Sequence, residues 1–372
     1  MGEAFEVILL VNATMFLSAS ILWVAEKSLV TLRLRTLYRL RLGLATAALC
    51  SSIVPILIFP LMPFFTNILP INGTDILVSQ FLKGNINLTA TQFSDFLAAK
   101  NSAIDGISNS NTPTAKFIIS VFVVFALFKL SSVWRSLILI RQQIAYGSVI
   151  YSTKKVDIIL SSTTTVPYST RGITKYYIVL PYSSLATSRT LRVSICHEAN
   201  HIRHGDVDWE MLISIISPLF VLNPAFWFIA NKIREVREYN CDATIIEKGQ
   251  FDAREYSSML LEVAERHMRS KLPISRLAHV PFYGYAGYSQ SRSRKSLKTR
   301  IVALCENPTN VNFTVSRFKI FLFALLLILS VGAGSLVFTK PTEWSQDRLM
   351  LSTVANLERL DKINNQFQIT FQ

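Results

Sequence analysis

The stretch Cys196–Asp206, CHEANHIRHGD, sets two histidines four residues apart with a glutamate directly after the first. Its surroundings read as a helix: Ser188 is a candidate N-cap, Leu191 and Ile195 share an apolar face, and Gly205 supplies a stop. Residues i and i+4 lie one turn apart, so His197 and His201 project from one side and their imidazoles can converge on one tetrahedral zinc ion. Glu198 then stands where a general base must stand to take a proton from water and pass it to a leaving amine. Otherwise the stretch is the polar face of an ordinary helix, and a second stretch bears on that choice.

Residues 223–249 read NPAFWFIANKIREVREYNCDATIIEKG. Asn223 suits an N-cap, Pro224 the first turn and Gly249 the end of a helix on which Glu238 and Asp242, four apart, share a face. Glu238 is the natural third ligand, completing a His2Glu set with one position open, as catalytic rather than structural zinc requires. Asp242 would orient a ligand imidazole, and Asp206 could do the same or merely end its helix. Taken alone, Arg234, Arg237 and Glu238 also fit an exposed helix laced by local ion pairs. All five histidines lie between Gln142 and Ser316, and Arg237 or His267 could stabilise an oxyanion.

Composition sets the surroundings of this site. Half of the 372 residues are hydrophobic, mean hydropathy is +0.35 and net charge is +14, which points away from a soluble domain. Apolar runs at Phe5–Val24, Leu42–Leu69, Lys116 to Trp134 and Phe318–Phe338 are each long enough to be read as membrane crossings. Pro55, Pro60 and Pro63 kink the second without excluding it. Lys27, Arg33, Arg35, Arg39 and Arg41 sit between the first two runs, whereas the loop from about Pro70 to Ala115 carries only Lys83 and Lys100. The positive-inside rule therefore puts the first connection inside and the second outside.

The resulting organisation has three transmembrane helices in 1–141 with an external loop near 70–115, then a cytoplasmic domain over 142–317. A fourth crossing at 318–339 leads to a short external tail, 340–372. The loop could be a small helical lid or a tether, and the tail is below the size of an independent core. The basic excess answers to topology and anionic membrane lipid, and direct nucleic-acid binding gains no support from it. Cys50, Cys196, Cys241 and Cys305 form no CxxC pair and suggest neither disulfides nor a thiolate cluster.

HEANHIRHGD followed by REYNCDA resembles the membrane zinc metallopeptidases of the beta-lactam sensor/transducer family (BlaR/MecR type). VPYSTRGITKYYIVLP, Val166–Pro181, is similar to that family's strand pair, and SLKTRIVAL to its basic segment before the last membrane helix. The resemblance implies a multi-pass α-helical membrane protein carrying an inserted α+β, gluzincin-like zinc peptidase in a bacterial cell membrane. It carries over His197, His201 and Glu238 as zinc ligands and Glu198 as catalytic base. The implied substrate is a cytoplasmic protein, a transcriptional repressor or the protease itself, cut in transmembrane signalling; the protein could act as a homodimer. Antibiotic receptors of this family continue into a large external penicillin-binding domain, whereas this chain ends about thirty residues after the last apolar run. The resemblance therefore does not extend to direct beta-lactam sensing. The rivals are a membrane quality-control or processing metallopeptidase and, in another class, a non-catalytic membrane receptor.

Two expectations concern substrate and membrane. Tyr177, Ile178 and Val179 could form a sheet edge that pairs with an extended substrate, although the same apolar run suits a buried strand. The hydrophobic segment near 211–230 is interrupted by Pro218, Asn223 and Pro224. A full crossing there would part Glu238 from His197, so it is expected to be a membrane-associated hairpin.

Overall fold

The computed structural model describes residues 2–31, 37–58, 73–108, 113–249, 251–269, 280–281, 290–305, 325 and 346–370. The expected fourth crossing, apart from Leu325, lies outside them. The helices are α1 (Gly2–Thr31), α2 (Tyr38–Ile58), α3 (Gly73–Leu82), α4 (Ala90–Ser108) and α5 (Pro113–Ala145). After four strands come α6 (Ser188–His204), α7 (Asp206–Ile216), α8 (Pro224–Glu247), α9 (Ala253–Arg269), α10 (Gln290–Cys305) and α11 (Gln346–Thr370). The protein is mostly helical, and among the described residues two stretches, Val11–Thr31 and Lys116–Ala145, are long and apolar enough to cross a membrane.

The chain divides into two compact units, one of Met1–Ser20, Ala48–Val121 and Phe321–Gln372, the other of Ile21–Ala47 and Phe122–Ile320. In the first, α3, α4 and α11 share a small core of Val78, Phe93, Leu97 and Leu351, with Phe81 stacked on Phe93 at 4.4 Å. The Glu358 carboxylate accepts the Thr91 backbone N–H at 3.0 Å, meeting the exposed donors of the α4 N-terminus. The tail is therefore more than a strand of surplus chain. Too short for a core of its own, it completes one with the two loop helices.

In the second unit a five-stranded sheet runs in the order β1-β2-β4-β3-β5, with β1 at Ser148–Ser152, β2 at Val156–Ser161, β3 at Tyr168–Arg171, β4 at Tyr176–Pro181 and β5 at Val280–Pro281. Strand β4 runs parallel to β2 and antiparallel to β3. This corrects the expectation of a substrate-pairing edge at Tyr177, Ile178 and Val179. The main chain of β4 is laddered on both sides, and an apolar run looks the same in a central strand as in an edge strand with one covered face. Leu160, Ile178 and Leu180 pack against Leu191, Ile195, Ala199 and Ile202, so the inner face of the sheet seats α6.

Helix α6 starts at Ser188 behind an extended Thr187, one residue before the expected cap, and Gly205 ends it in the left-handed region at φ 73°. The segment near 211–230 turns between α7 and α8 and does not run through as one helix. Asn223 caps α8 by accepting the N–H of Ala225 at 2.9 Å, with Pro224 in the first turn. Around the turn Leu212, Ile215, Leu219, Leu222 and Phe228 stand exposed. Arg41 grips Glu26 through Nε at 3.0 Å and Nη2 at 2.7 Å, and Lys232 of α8 joins Glu26 at 3.0 Å.

Candidate active site

Four segments far apart in sequence bring their polar groups to one buried place. Helix α6 buries His197, Glu198 and His201 completely; α8 adds Glu238 and Asp242; α9 adds Tyr256; and α10 adds Arg300. The α6 side chains share a face because of their spacing, and the sheet beneath turns that face toward α8 rather than to water.

The hydrogen bonds fix how the imidazoles are presented. His201 Nδ1 lies 2.8 Å from Asp206 Oδ2, a carboxylate that can only accept, so Nδ1 carries the proton. Tyr256 Oη donates to Asp242 Oδ1 at 2.7 Å and therefore accepts from His197 Nδ1 at 2.9 Å. Asp242 thus reaches His197 through the tyrosine hydroxyl, its own Oδ1 being 3.6 Å from Nδ1. With Nδ1 the donor in both rings, the neutral His197 presents an Nε2 lone pair and faces His201 Nε2 at 3.1 Å; a metal ion there would take both nitrogens as acceptors. Glu238 turns more acceptors toward them, Oε1 at 3.6 Å from His201 Nε2 and Oε2 at 3.6 Å from His197 Nε2.

With both rings neutral such a convergence of acceptors is repulsive unless a metal ion lies between them; without one, a proton on His201 Nε2 bridges the pair. Two donors about 2.05 Å from one tetrahedral zinc ion stand about 3.3 Å apart. The 3.1 Å between the two Nε2 atoms and the 3.6 Å from each of them to its nearer Glu238 oxygen lie on either side of that value, so two imidazoles and one carboxylate fit the ion. Cys241 also has its sulfur within 4.8 Å of ligand atoms of both histidines. That sulfur, however, meets His197 on the Nδ1 side at 3.6 Å and also donates to the His197 carbonyl at 3.5 Å. Burial, reinforced by Asp242 and Glu238, pushes its thiol well above the ordinary range and keeps it neutral. Glu238 is the better third donor.

Burial dominates the protonation of the site. It drives His197 down to about 3, against the pull of Asp242, so that ring is neutral. It lifts Glu238 to about 7, with Arg300 and His201 opposing. Glu198 is pushed well above the usual carboxylate range by burial, although Ser169 beside it works the other way. Neither oxygen of Glu198 nor the Ser169 hydroxyl reaches a partner in good hydrogen-bond geometry. Burial would raise Asp242 too, but Arg300 outweighs it and holds the group below its ordinary value.

The other sequence candidates lie elsewhere. Arg237 is buried, with Nη1 3.1 Å from Glu210 Oε2 and Nε 3.6 Å from Asp206 Oδ1. Its contacts are on the Nδ1 side of His201, which makes it a positioning group for the Asp206–His201 pair rather than a group facing an oxyanion. The His267 side chain lies outside the described residues.

Sequence reasoning missed Tyr256 and Arg300 as site residues. Arg300 did leave a signal: Leu297 and Leu304, three before and four after it, are both buried with it, so the arginine sits on an apolar stripe. A cation there needs a buried anion. Nothing comparable marked Tyr256.

A mostly helical chain with membrane-length apolar helices and a buried constellation of two histidines and carboxylates is a membrane-associated metallopeptidase. The BlaR1 peptidase M56 family profile matches residues 15–281, well over half of the chain, and the chain belongs to that family. Peptidases of this family depend on zinc. No curated protein was found to match the chain.

Proposed function

We propose that the protein is an integral membrane zinc metalloendopeptidase that cleaves a cytoplasmic protein, a transcriptional regulator or the protease itself, in transmembrane signalling. The observation that carries the zinc reading is the pair of Nε2 acceptors at 3.1 Å with the Glu238 carboxylate 3.6 Å from each. His197, His201 and Glu238 hold the ion, and zinc bound there supplies a Lewis acid that polarises the scissile carbonyl and acidifies water.

The remaining chemistry belongs to the chain. Glu198, whose carboxyl burial makes more basic, takes the proton from the attacking water and returns it to the leaving amine. Asp206 and the Asp242–Tyr256 pair keep each Nδ1 protonated and each ring in its plane. Cytoplasmic placement of the domain is supported by the basic residues between Lys27 and Arg41 and the two membrane-length helices. The exposed Leu212, Ile215, Leu219, Leu222 and Phe228 support insertion of the α7–α8 turn into the inner leaflet.

Comparative proteomics of cells expressing the wild type or Glu198→Gln tests the reading and identifies the substrate together. The expected result is at least one cytoplasmic protein, or the chain itself, shortened only with the wild type. Identical fragment patterns in both strains under every inducing condition, with zinc retained by both proteins, would favour a non-catalytic receptor.

A further inference from the structure

We propose that Arg300 fixes how the third ligand binds, holding one oxygen of Glu238 and leaving the other as a single donor to the metal. This inference rests on the zinc reading above. Arg300 lies on α10, outside the family match at 15–281, and is 2% exposed. Its Nε and Nη2 close a hydrogen-bonded fork on Asp242, each at 2.7 Å, while Nη1 makes an ion pair with Glu238 Oε2 at 2.9 Å whose angle falls short of a hydrogen bond. Glu238 and Asp242 are one turn apart on α8, a spacing at which one planar guanidinium can hydrogen-bond the second carboxylate and pair by charge with the first.

The division of the carboxylate has a chemical consequence. Glutamate can bind a metal through one oxygen or both, and binding through both fills a position that a catalytic site keeps open. Oε1 and Oε2 stand equally far from the imidazoles, each 3.6 Å from one Nε2, but only Oε2 is paired with Arg300, at 2.9 Å, so Oε1 is the oxygen left for the ion. Arg300 also holds Asp242, whose partner Tyr256 orients His197. One guanidinium thereby governs two of the three ligands. It also supplies a positive charge among the buried carboxylates Glu198, Glu238 and Asp242, whose mutual repulsion would otherwise work against the fold. Arg300 touches neither water nor substrate in this account, so it is a positioning residue.

The test uses the full chain in detergent, with zinc affinity measured by chelator competition and coordination by the visible spectrum of the cobalt(II)-substituted protein. Four-coordinate cobalt absorbs more intensely than five-coordinate cobalt. Arg300→Met is expected to weaken zinc binding about 10- to 100-fold, the range found when a partner of a metal ligand is lost. Its cobalt bands should fall in intensity as Glu238 binds through both oxygens, and Arg300→Lys, which keeps the charge without the fork, should fall between the two. Bands of wild-type intensity together with zinc affinity within twofold of wild type would overturn the proposal. Should Arg300→Met fail to fold, Arg300→Met with Asp242→Asn removes both partners of the buried pair, and Asp242→Asn alone is its control. The spectral change must then appear in the double variant and not in the single one; the same change in both overturns the role of Arg300. A wild-type chain without stoichiometric zinc, or Glu238→Ala with a wild-type cobalt spectrum, would instead sink the underlying zinc reading.

Discussion

Replacing Tyr256 by phenylalanine removes one oxygen and leaves the ring in its core, where Phe251 lies 6.5 Å from it. The loss falls unevenly on the two groups that the hydroxyl joins. Asp242 keeps both 2.7 Å bonds from Arg300 and remains satisfied. His197 Nδ1–H loses its 2.9 Å acceptor, and the nearest alternatives, Asp242 Oδ1 and Cys241 Sγ, each lie at 3.6 Å. Losing the group that orients a metal-binding imidazole weakens metal affinity about 10- to 100-fold. A small shift of Asp242 can recover part of this, so the expected loss is about 1.4 kcal/mol, a tenfold weaker zinc affinity. The variant also frees the imidazole to take the other tautomer, which puts a proton on the nitrogen that should bind the metal. Chelator competition on the detergent-solubilised chain reads the affinity, and cobalt(II) spectra read the ligand geometry. Zinc affinity within twofold of wild type would refute the relay from Asp242 through Tyr256 to His197.

Three further outcomes follow from the geometry. Cys241→Ala should retain stoichiometric zinc while Glu238→Ala loses it, as metal analysis of the purified proteins will show; the reverse pattern would make the thiol the third ligand. At Gly205, φ is +73° and a Cβ would meet nothing within 4 Å, so Gly205→Ala should cost about 1 kcal/mol through the backbone alone, seen as a lower melting temperature with zinc binding intact. Phe93, 2% exposed in the small core of α3, α4 and α11, should cost about 3–5 kcal/mol when changed to alanine. Hydrogen exchange would then rise across residues 346–370 as well as 73–108, and a rise confined to the loop would show that the tail helix does not depend on that core.

The parts of the site legible in the sequence are those built on helical periodicity. His197 and His201, like Glu238 and Asp242, announce a shared face by a spacing of four, and Asn223, Pro224, Gly205 and Gly249 mark helix ends by backbone chemistry that acts within a few residues. Contacts made across 14 to 58 residues, such as Tyr256 to Asp242 and Arg300 to Asp242, have no local signature. The place of β4 in the sheet was illegible for a related reason. Strand neighbours are chosen by topology, and the YYIVLP run satisfies the same burial whether one or two strands flank it. The tail helix escaped notice because its hydrophobic partners lie more than 250 residues upstream, Leu351 meeting Val78, Phe93 and Leu97.

The facing Nε2 lone pairs have a bearing on the life of the protein in the cell. Without an ion, the chain must hold converging acceptors and buried carboxylates together by packing alone, or take up protons to relieve them. Metal bound there stabilises the folded state by mass action, in proportion to the logarithm of free zinc over its dissociation constant. If zinc is the ion, such a chain would answer to zinc supply in its abundance as well as in its activity. Under zinc starvation the apo form, opening more often, would be exposed to the membrane's own degradation machinery, and the cell would lose the enzyme as well as its activity.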